Sequence, residues 1–257
     1  MMRNSGTHFF IIATFLLLGS LPANAQIVNI ERQRIATDTT GWFGHAIGSF
    51  SGSKSTKSIL SVASATLLEY KSRSTKDLWL LITELNLVKS ASEKFTNSGF
   101  GHLRYNRKLG NVVRWELFTQ IQYNSLTKID QRILGGTGFR FKLTPYEQAK
   151  FYWGISYMYE YEKLLNPEIY HKDHRASSYF SFTLTPTETV SLISTLYVQP
   201  LLKDARDYRI SNESTLILGI TKKLSLNATF KYGYDSRPPE GVPLNTYSFS
   251  NGLELQF

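Results

Sequence analysis

The chain of 257 residues contains no cysteine. That removes disulfides, thiolate metal sites and cysteine nucleophiles together. Small exported scaffolds usually rely on disulfide staples, so this chain must be held by something else. Long apolar runs are scarce too. Beyond residue 25 no stretch approaches the roughly 20 consecutive apolar residues that a membrane-spanning helix requires, which excludes helical membrane topology. Proline is missing from the middle of every extended segment. Pro145, Pro167, Pro186, Pro200, Pro238, Pro239 and Pro243 fall between segments or at their ends, where no ladder hydrogen bond is lost. Helical periodicity is absent, as are a Walker motif, a Gly-rich phosphate loop and a zincin helix. Gly135, Gly136 and Gly138 lie within an extended segment, where they read as points of close packing.

What the front of the chain does have is a leader. In MMRNSGTHFFIIATFLLLGSLPANAQ, Arg3 supplies a positive n-region, residues 9–18 an apolar h-region, and Ala23, Asn24 and Ala25 a small-x-small cleavage site. This predicts a secretory signal peptide over 1–25, with Gln26 as the new N-terminus. The apolar run is too short to serve as an anchor. A net charge of +9 falls to +8 when Arg3 leaves. An exported protein rarely meets nucleic acid, so none is expected as a partner. Anionic lipid and lipopolysaccharide phosphates are the natural counter-charge, although a merely solubilising surface explains the same excess.

From residue 40 onward, twelve segments show strand period, near 41–51, 58–71, 77–88, 95–107, 111–124, 131–143, 149–162, 175–184, 188–199, 207–220, 224–235 and 246–257. In FYWGISYMYEYE, Phe151, Trp153, Ile155, Tyr157, Tyr159 and Tyr161 fall on one face and mostly small or polar residues on the other. In NVVRWELFTQIQYN, Trp115, Leu117, Ile121 and Tyr123 oppose Arg114, Glu116, Gln120 and Gln122. Alternate side chains of a strand point to opposite faces, so each of these segments has one apolar and one polar side. The connections KLG, TPYE, TPTE and TKK are tight, whereas EKLLNPEIYHKDH, PLLKDARD and DSRPPEGVP are longer. Short turns alternating with long loops are expected of a transmembrane barrel.

A soluble sandwich would hide its apolar faces and show its polar ones. Two features favour the reverse. Large rings cluster towards the strand ends, as interfacial girdles do: Trp115, Tyr123, Phe151, Trp153, Tyr157, Tyr159, Tyr161, Phe230, Tyr232, Tyr234, Tyr247, Phe249 and Phe257 are expected to face lipid. The opposite faces carry mid-strand charge. Glu84, Arg104, Arg114, Glu116, Arg132, Arg140, Glu160, Arg209, Glu213 and Glu254 are expected to line a polar lumen, joined by Glu69 and Lys231. The chain ends on Phe257, with Tyr247, Phe249, Leu253 and Leu255 at two-residue spacing before it. Such a strand resembles the signal by which outer-membrane proteins reach their assembly machinery.

The phrases VNIERQR (28–34), GWFG (41–44), NSGFGHLRYN (97–106), RWELFTQIQYN (114–124), YMYEYE (157–162), YVQP (197–200), DYRIS (207–211) and YDSRPPEGV (234–242) resemble a group of bacterial outer-membrane barrels known as domain of unknown function 481, the salt-induced outer-membrane-protein-like family. The resemblance implies an outer-membrane barrel of a Gram-negative bacterium and brings no reaction, cofactor, ligand or functional residue.

The expected architecture is therefore all-β: a twelve-stranded antiparallel transmembrane barrel over 40–257, preceded by the signal peptide (1–25) and a periplasmic segment (26–39), with both termini periplasmic. An enzyme must be weighed. Barrel-embedded lipid hydrolases need a base placed to activate a hydroxyl, but His45 is followed by Ala46 and Ile47, and His102 by Leu103 and Arg104. His171, Asp173 and His174 beside Glu168 suit a divalent transition metal, yet a lone loop cluster reads better as solvated. No catalytic residue, metal or cofactor is assigned. The inward charges are nearly balanced, which predicts an ion-paired interior, with Arg104 near Arg114 and Glu116. The leading function is a structural barrel or a narrow pore for small solutes. A lipid- or lipopolysaccharide-modifying enzyme and a surface platform using loops 163–174 and 235–245 are the alternatives.

Overall fold

The computed structural model describes residues 40–255 except 55–57, 91–92, 147, 166–167 and 222–223. The predicted signal peptide, the 26–39 segment and Phe257 lie outside the described residues. The described residues form a single antiparallel sheet of twelve strands, each paired with its sequence neighbour. They are β1 (Gly41–Lys54), β2 (Ser58–Lys71), β3 (Asp77–Ser90), β4 (Glu93–Lys108), β5 (Val113–Asn124), β6 (Ile129–Lys142), β7 (Ala149–Leu164), β8 (Ile169–Thr187), β9 (Val190–Leu201), β10 (Asp204–Gly219), β11 (Leu224–Asp235) and β12 (Asn245–Leu255). Among the described residues no ladder joins β12 to β1.

Period-2 patterning determines this sheet, because a slip of one residue would turn every apolar side chain to the wrong face. On β5 the pattern is nearly pure: Glu116, Phe118, Gln120, Gln122 and Asn124 are buried, while Leu117, Thr119, Ile121 and Tyr123 are exposed. The sheet curls around its polar face. The Tyr179 hydroxyl on β8 donates to Glu116 Oε2 on β5 at 2.7 Å, and Arg209 on β10 reaches Glu160 on β7 at 2.7 Å. In a flat sheet strands three apart lie roughly 14 Å from each other, at about 4.8 Å per step. Only a concave surface brings them into contact.

The distribution of side chains is inverted relative to a soluble core. Among the described residues, twelve apolar and twenty-seven polar or charged side chains are buried, while thirty-eight large apolar ones are exposed. Small apolar clusters remain inside, Leu67, Leu80 and Ile82 on one side and Phe118, Leu134 and Met158 on the other.

The loop lengths correct one expectation. The lower end carries connections 72–76, 109–112, 143–148, 188–189 and 220–223; the upper end carries 55–57, 91–92, 125–128, 165–168, 202–203 and 236–244. Only the last is long. The other expected loops are strand, and β8 begins at Ile169, six residues before its expected start. The polar run His171–Lys172–Asp173–His174 reads as a loop only when polarity is equated with solvent. In a strand facing a polar interior, Asp173 turns inward and is buried while Lys172 and His174 point outward.

Candidate functional site

The upper half of the interior is held by a charge network that the alternation of five strands builds. Glu160 and Glu162 project inward from β7 two residues apart and are 1% and 3% exposed. The Arg209 guanidinium donates to both Glu160 oxygens, at 2.7 and 3.0 Å, and its Nε donates to Asp235 at 2.9 Å. Arg132 on β6 donates to Glu162 through Nε at 2.5 Å and a second time through its terminal nitrogen. Arg132 also stands 3.8 Å from Glu160. Arg175 on β8 adds a third guanidinium 3.8 Å from Glu160 and reaches Asp207 at 2.9 Å. Lys203 closes on Asp173 at 2.9 Å from the rim.

Desolvating any one of these charges costs several kcal/mol. Charge-assisted guanidinium–carboxylate hydrogen bonds, several to each group, are what make such burial tolerable. Three arginines and five carboxylates thus brace β6, β7, β8, β10 and β11 against each other.

Below the brace, Arg104 on β4 donates to Glu116 at 3.1 Å, and its Nε donates to His102 Nε2 at 3.3 Å. An Arg donor requires His102 Nε2 to be the acceptor, so Nδ1 carries the proton and donates to Gln120 Oε1 at 3.2 Å. His102 is a neutral, oriented interior group. Between Arg104, Arg132, Tyr179, Tyr197 and Gln199 lies a cavity of about 40 Å³, enough for two or three waters.

The upper mouth is crossed by a strap. Connection 236–244 leaves β11, turns at Gly241, whose φ of +79° favours glycine, and returns to β12. On the way Lys128, in the 125–128 turn between β5 and β6, donates to the Glu240 carbonyl at 2.6 Å. Pro238, Pro239 and Pro243 line a second recess together with Thr127 and Arg209. Arg237 pins the strap to Asp204 at 2.7 Å. Beside the mouth the Glu168 carboxyl is held below the ordinary carboxylate range, first by the Tyr170 hydroxyl and then by Lys163.

The residues singled out from the sequence fall as follows. Arg104, Glu116, Arg132, Arg140, Glu160, Arg209 and Glu213 are buried on the concave face, Glu213 paired with Lys231 at 3.3 Å. Glu84 and Arg114 are half-buried on the same face. The Glu254 side chain lies outside the described residues. Arg114 does not sit beside Arg104: register sets it opposite Lys108 and Arg140, and Arg104 opposite Phe118. Trp115, Tyr123, Phe151, Trp153, Tyr157, Tyr159, Tyr161, Phe230, Tyr232, Tyr234, Tyr247 and Phe249 all lie on the convex face.

Sequence reasoning missed Glu162, Asp173, Arg175, Asp207 and Asp235 as members of the network. Glu162 shares the parity of Glu160, and that signal was available. Asp173 and Arg175 were hidden because 169–174 reads as loop. Strand alternation splits the supposed metal cluster, turning Asp173 inward and His174 outward onto the Tyr157 hydroxyl at 2.5 Å. Among the described residues no group of three His, Asp or Glu is placed to hold a metal.

A family model described as "Protein of unknown function, DUF481" matches residues 49–257. No curated protein matches the chain in sequence. Among solved structures, a chain described as "NanC porin structure in rhombohedral crystal form" superposes with a TM-score of 0.50 at 12% identity, covering 83% of this chain and 99% of that one. At that identity the likeness is one of fold alone.

Proposed function

The chain belongs to the DUF481 family, whose description names no activity, and from that membership together with the porin-like sheet we propose that it is an integral outer-membrane β-barrel without catalytic function, closed along β12 and β1, with a braced interior that is at most a narrow pore. The observation that carries the restriction is the Arg209–Glu160 contact, which ties β10 to β7 across the concave face. Twelve strands lie between the eight that side chains fill and the sixteen or more that leave a channel. The charges and the strap support the closed reading.

The inverted side-chain distribution supports the membrane reading, because an apolar solvent is what makes an apolar exterior favourable. Polar groups on the convex face follow the same logic. In lipid such groups are stabilised by a partner within the protein, and three of them have one. Trp115 Nε1 donates to Thr137 Oγ1 at 2.8 Å, Trp153 Nε1 to Ser178 Oγ at 3.1 Å, and Thr119 Oγ1 to the Leu134 carbonyl at 3.1 Å. Residues 1–25 fit export, and the two-residue spacing of Tyr247, Phe249, Leu253, Leu255 and Phe257 in the sequence fits delivery to outer-membrane assembly, with lipid and lipopolysaccharide as the surrounding partners.

The test is to refold the chain without residues 1–25 in detergent, verify heat-modifiable migration, and record current across a planar bilayer. A folded, inserted protein giving no steps, or steps far below those of a sixteen-stranded porin, is the expected result. Large discrete steps from the unmodified chain would overturn the closed interior.

A further inference from the structure

The lower belt of rings on the convex face gathers cations just outside it at β3 and β4. Trp79 on β3 stands directly opposite Tyr105 on β4, their ring centroids 4.6 Å apart, and Trp115 on β5 meets Tyr105 edge-on at 5.8 Å. Two residues further out on the same face come Asp77 and Arg107, again directly opposed. That step is about 7 Å at the rise of an antiparallel strand. Beyond them the 72–76 turn adds Arg73 and Lys76, both exposed. Further round the belt, Phe141 and Trp153 stack at 5.6 Å, but the next positions outward on their face are Leu143 and Phe151, which carry no charge.

Within this patch Arg73, Lys76 and Arg107 face a single carboxylate, and that carboxylate is in use. Asp77 accepts the Tyr105 hydroxyl at 2.5 Å and the Ser72 hydroxyl at 3.5 Å. Arg107 stands 3.6 Å from it with half its side chain exposed, a loose surface pair of little worth that leaves the guanidinium available. Among the described residues no hydrogen bond or ion pair engages the Arg73 or Lys76 side chain. The turn that carries them is held by its backbone. Thr75 N donates to the Ser72 carbonyl at 2.8 Å, Ser72 N to the Asp77 carbonyl at 3.0 Å, and Lys108 N to the Lys76 carbonyl at 2.8 Å. The last bond fixes the turn against β4, beside Arg107, so binding need order side chains only. A surface charged for solubility alone intersperses both signs. Here cations predominate directly outside rings of the kind that sit at headgroup level in a bilayer. Groups a further step out meet phosphates, to which Lys and Arg are attracted and whose oxygens a guanidinium fork matches.

We propose that Arg73, Lys76 and Arg107 form a headgroup site for an anionic phospholipid whose acyl chains lie against Trp79, Tyr105 and Trp115. The cations and the rings share the outward face, so one molecule carrying both a phosphate and apolar chains satisfies both, which a free phosphate does not. The site rests on the membrane reading above but not on whether the interior conducts.

The experiment is tryptophan quenching of the chain lacking residues 1–25, refolded into phosphatidylcholine vesicles. One set carries brominated phosphatidylcholine and the other the same mole fraction of brominated phosphatidylglycerol. Two of the four tryptophans, Trp79 and Trp115, lie in the patch, so a bound brominated lipid is read directly. Phosphatidylglycerol should quench more strongly, with a local preference over phosphatidylcholine of about fivefold or more, weakening as salt is raised. Arg107→Gln and the double variant Arg73→Gln/Lys76→Gln should each lower that preference by about two- to fivefold or more. Lys172→Gln, at the opposite end on β8, should leave it unchanged, as should inorganic phosphate at constant ionic strength. All the substituted side chains are exposed, and heat-modifiable migration verifies each fold. Quenching by neither lipid would overturn the membrane reading and this site with it. Equal quenching by both lipids in the inserted protein, full preference retained by both patch variants, or displacement by inorganic phosphate would overturn the site alone.

Discussion

Glu160 is the residue on which most of the brace converges, with Arg209, Arg132 and Arg175 all within 4 Å of its carboxylate. Replacing it by Gln keeps the shape and removes the charge, leaving three buried guanidiniums short of one partner. Breaking a buried pair from one side costs about 3–5 kcal/mol, so Glu160→Gln should lower the unfolding midpoint of the refolded barrel substantially. The double variant Glu160→Gln/Arg209→Gln should recover part of that loss, because it removes one of the stranded cations. Denaturant unfolding followed by heat-modifiable migration measures both. Gly154 makes a second point at this scale. A methyl there would overlap the buried Tyr179 ring, whose hydroxyl is tied to Glu116. Gly154→Ala should therefore destabilise by about 1–3 kcal/mol, and a loss within about 0.5 kcal/mol would show that the ring moves freely. The inward charges of β5, β6 and β7 were legible residue by residue, since parity alone assigns them. The pairings were not: which guanidinium meets which carboxylate depends on curvature and register, and no spacing within one strand encodes either.

At the scale of elements, strand existence was readable throughout, and β2 and β11 were predicted with the bounds they have. The largest errors sit at the upper end, where expected loops turned out to be strand, with a smaller one at the lower end, where β8 runs on to Thr187 through the expected turn. Turn chemistry is a sound guide where a loop meets water, but the inward face of this sheet is itself polar, so polarity no longer marks a strand's end. Connection 236–244 is the exception. Its three prolines and Gly241 make a real loop, and what the sequence could not reveal is its path across to Lys128, a contact between residues 112 positions apart. If the strap obstructs the upper mouth, untying it should open the interior. Lys128→Ala removes one tether and Arg237→Ala the other, and the double variant should convert a silent or faintly conducting barrel into one with measurable steps in planar bilayers. The folding midpoint should change little, because both tethers are exposed and such pairs are worth about 0–1 kcal/mol. An unchanged recording would place the block in the brace below and not in the strap.

For the whole molecule, the decisive question is which solvent meets the convex face, and one substitution separates the answers. Leu196 lies midway along β9, 42% exposed, with the buried Tyr197 and Thr195 on either side of it in sequence. On a soluble sheet an exposed leucine can become arginine at a cost within about 0.5 kcal/mol, as surface substitutions generally do. On a barrel in a bilayer the same change places a charge near the hydrocarbon midplane, which costs about 2–4 kcal/mol. Leu196→Arg should therefore destabilise the protein by that larger amount in phosphatidylcholine vesicles. The equivalent change at Leu202, in the 202–203 connection at the upper rim, should cost about 0–1 kcal/mol, because penalties fall away toward the interface. The difference between the two sites is what carries the inference, since both are exposed leucines and only depth distinguishes them. Equal, small effects at 196 and 202 would mean that water meets the whole convex face, and the inverted distribution of polar and apolar side chains would then need a protein partner to cover it.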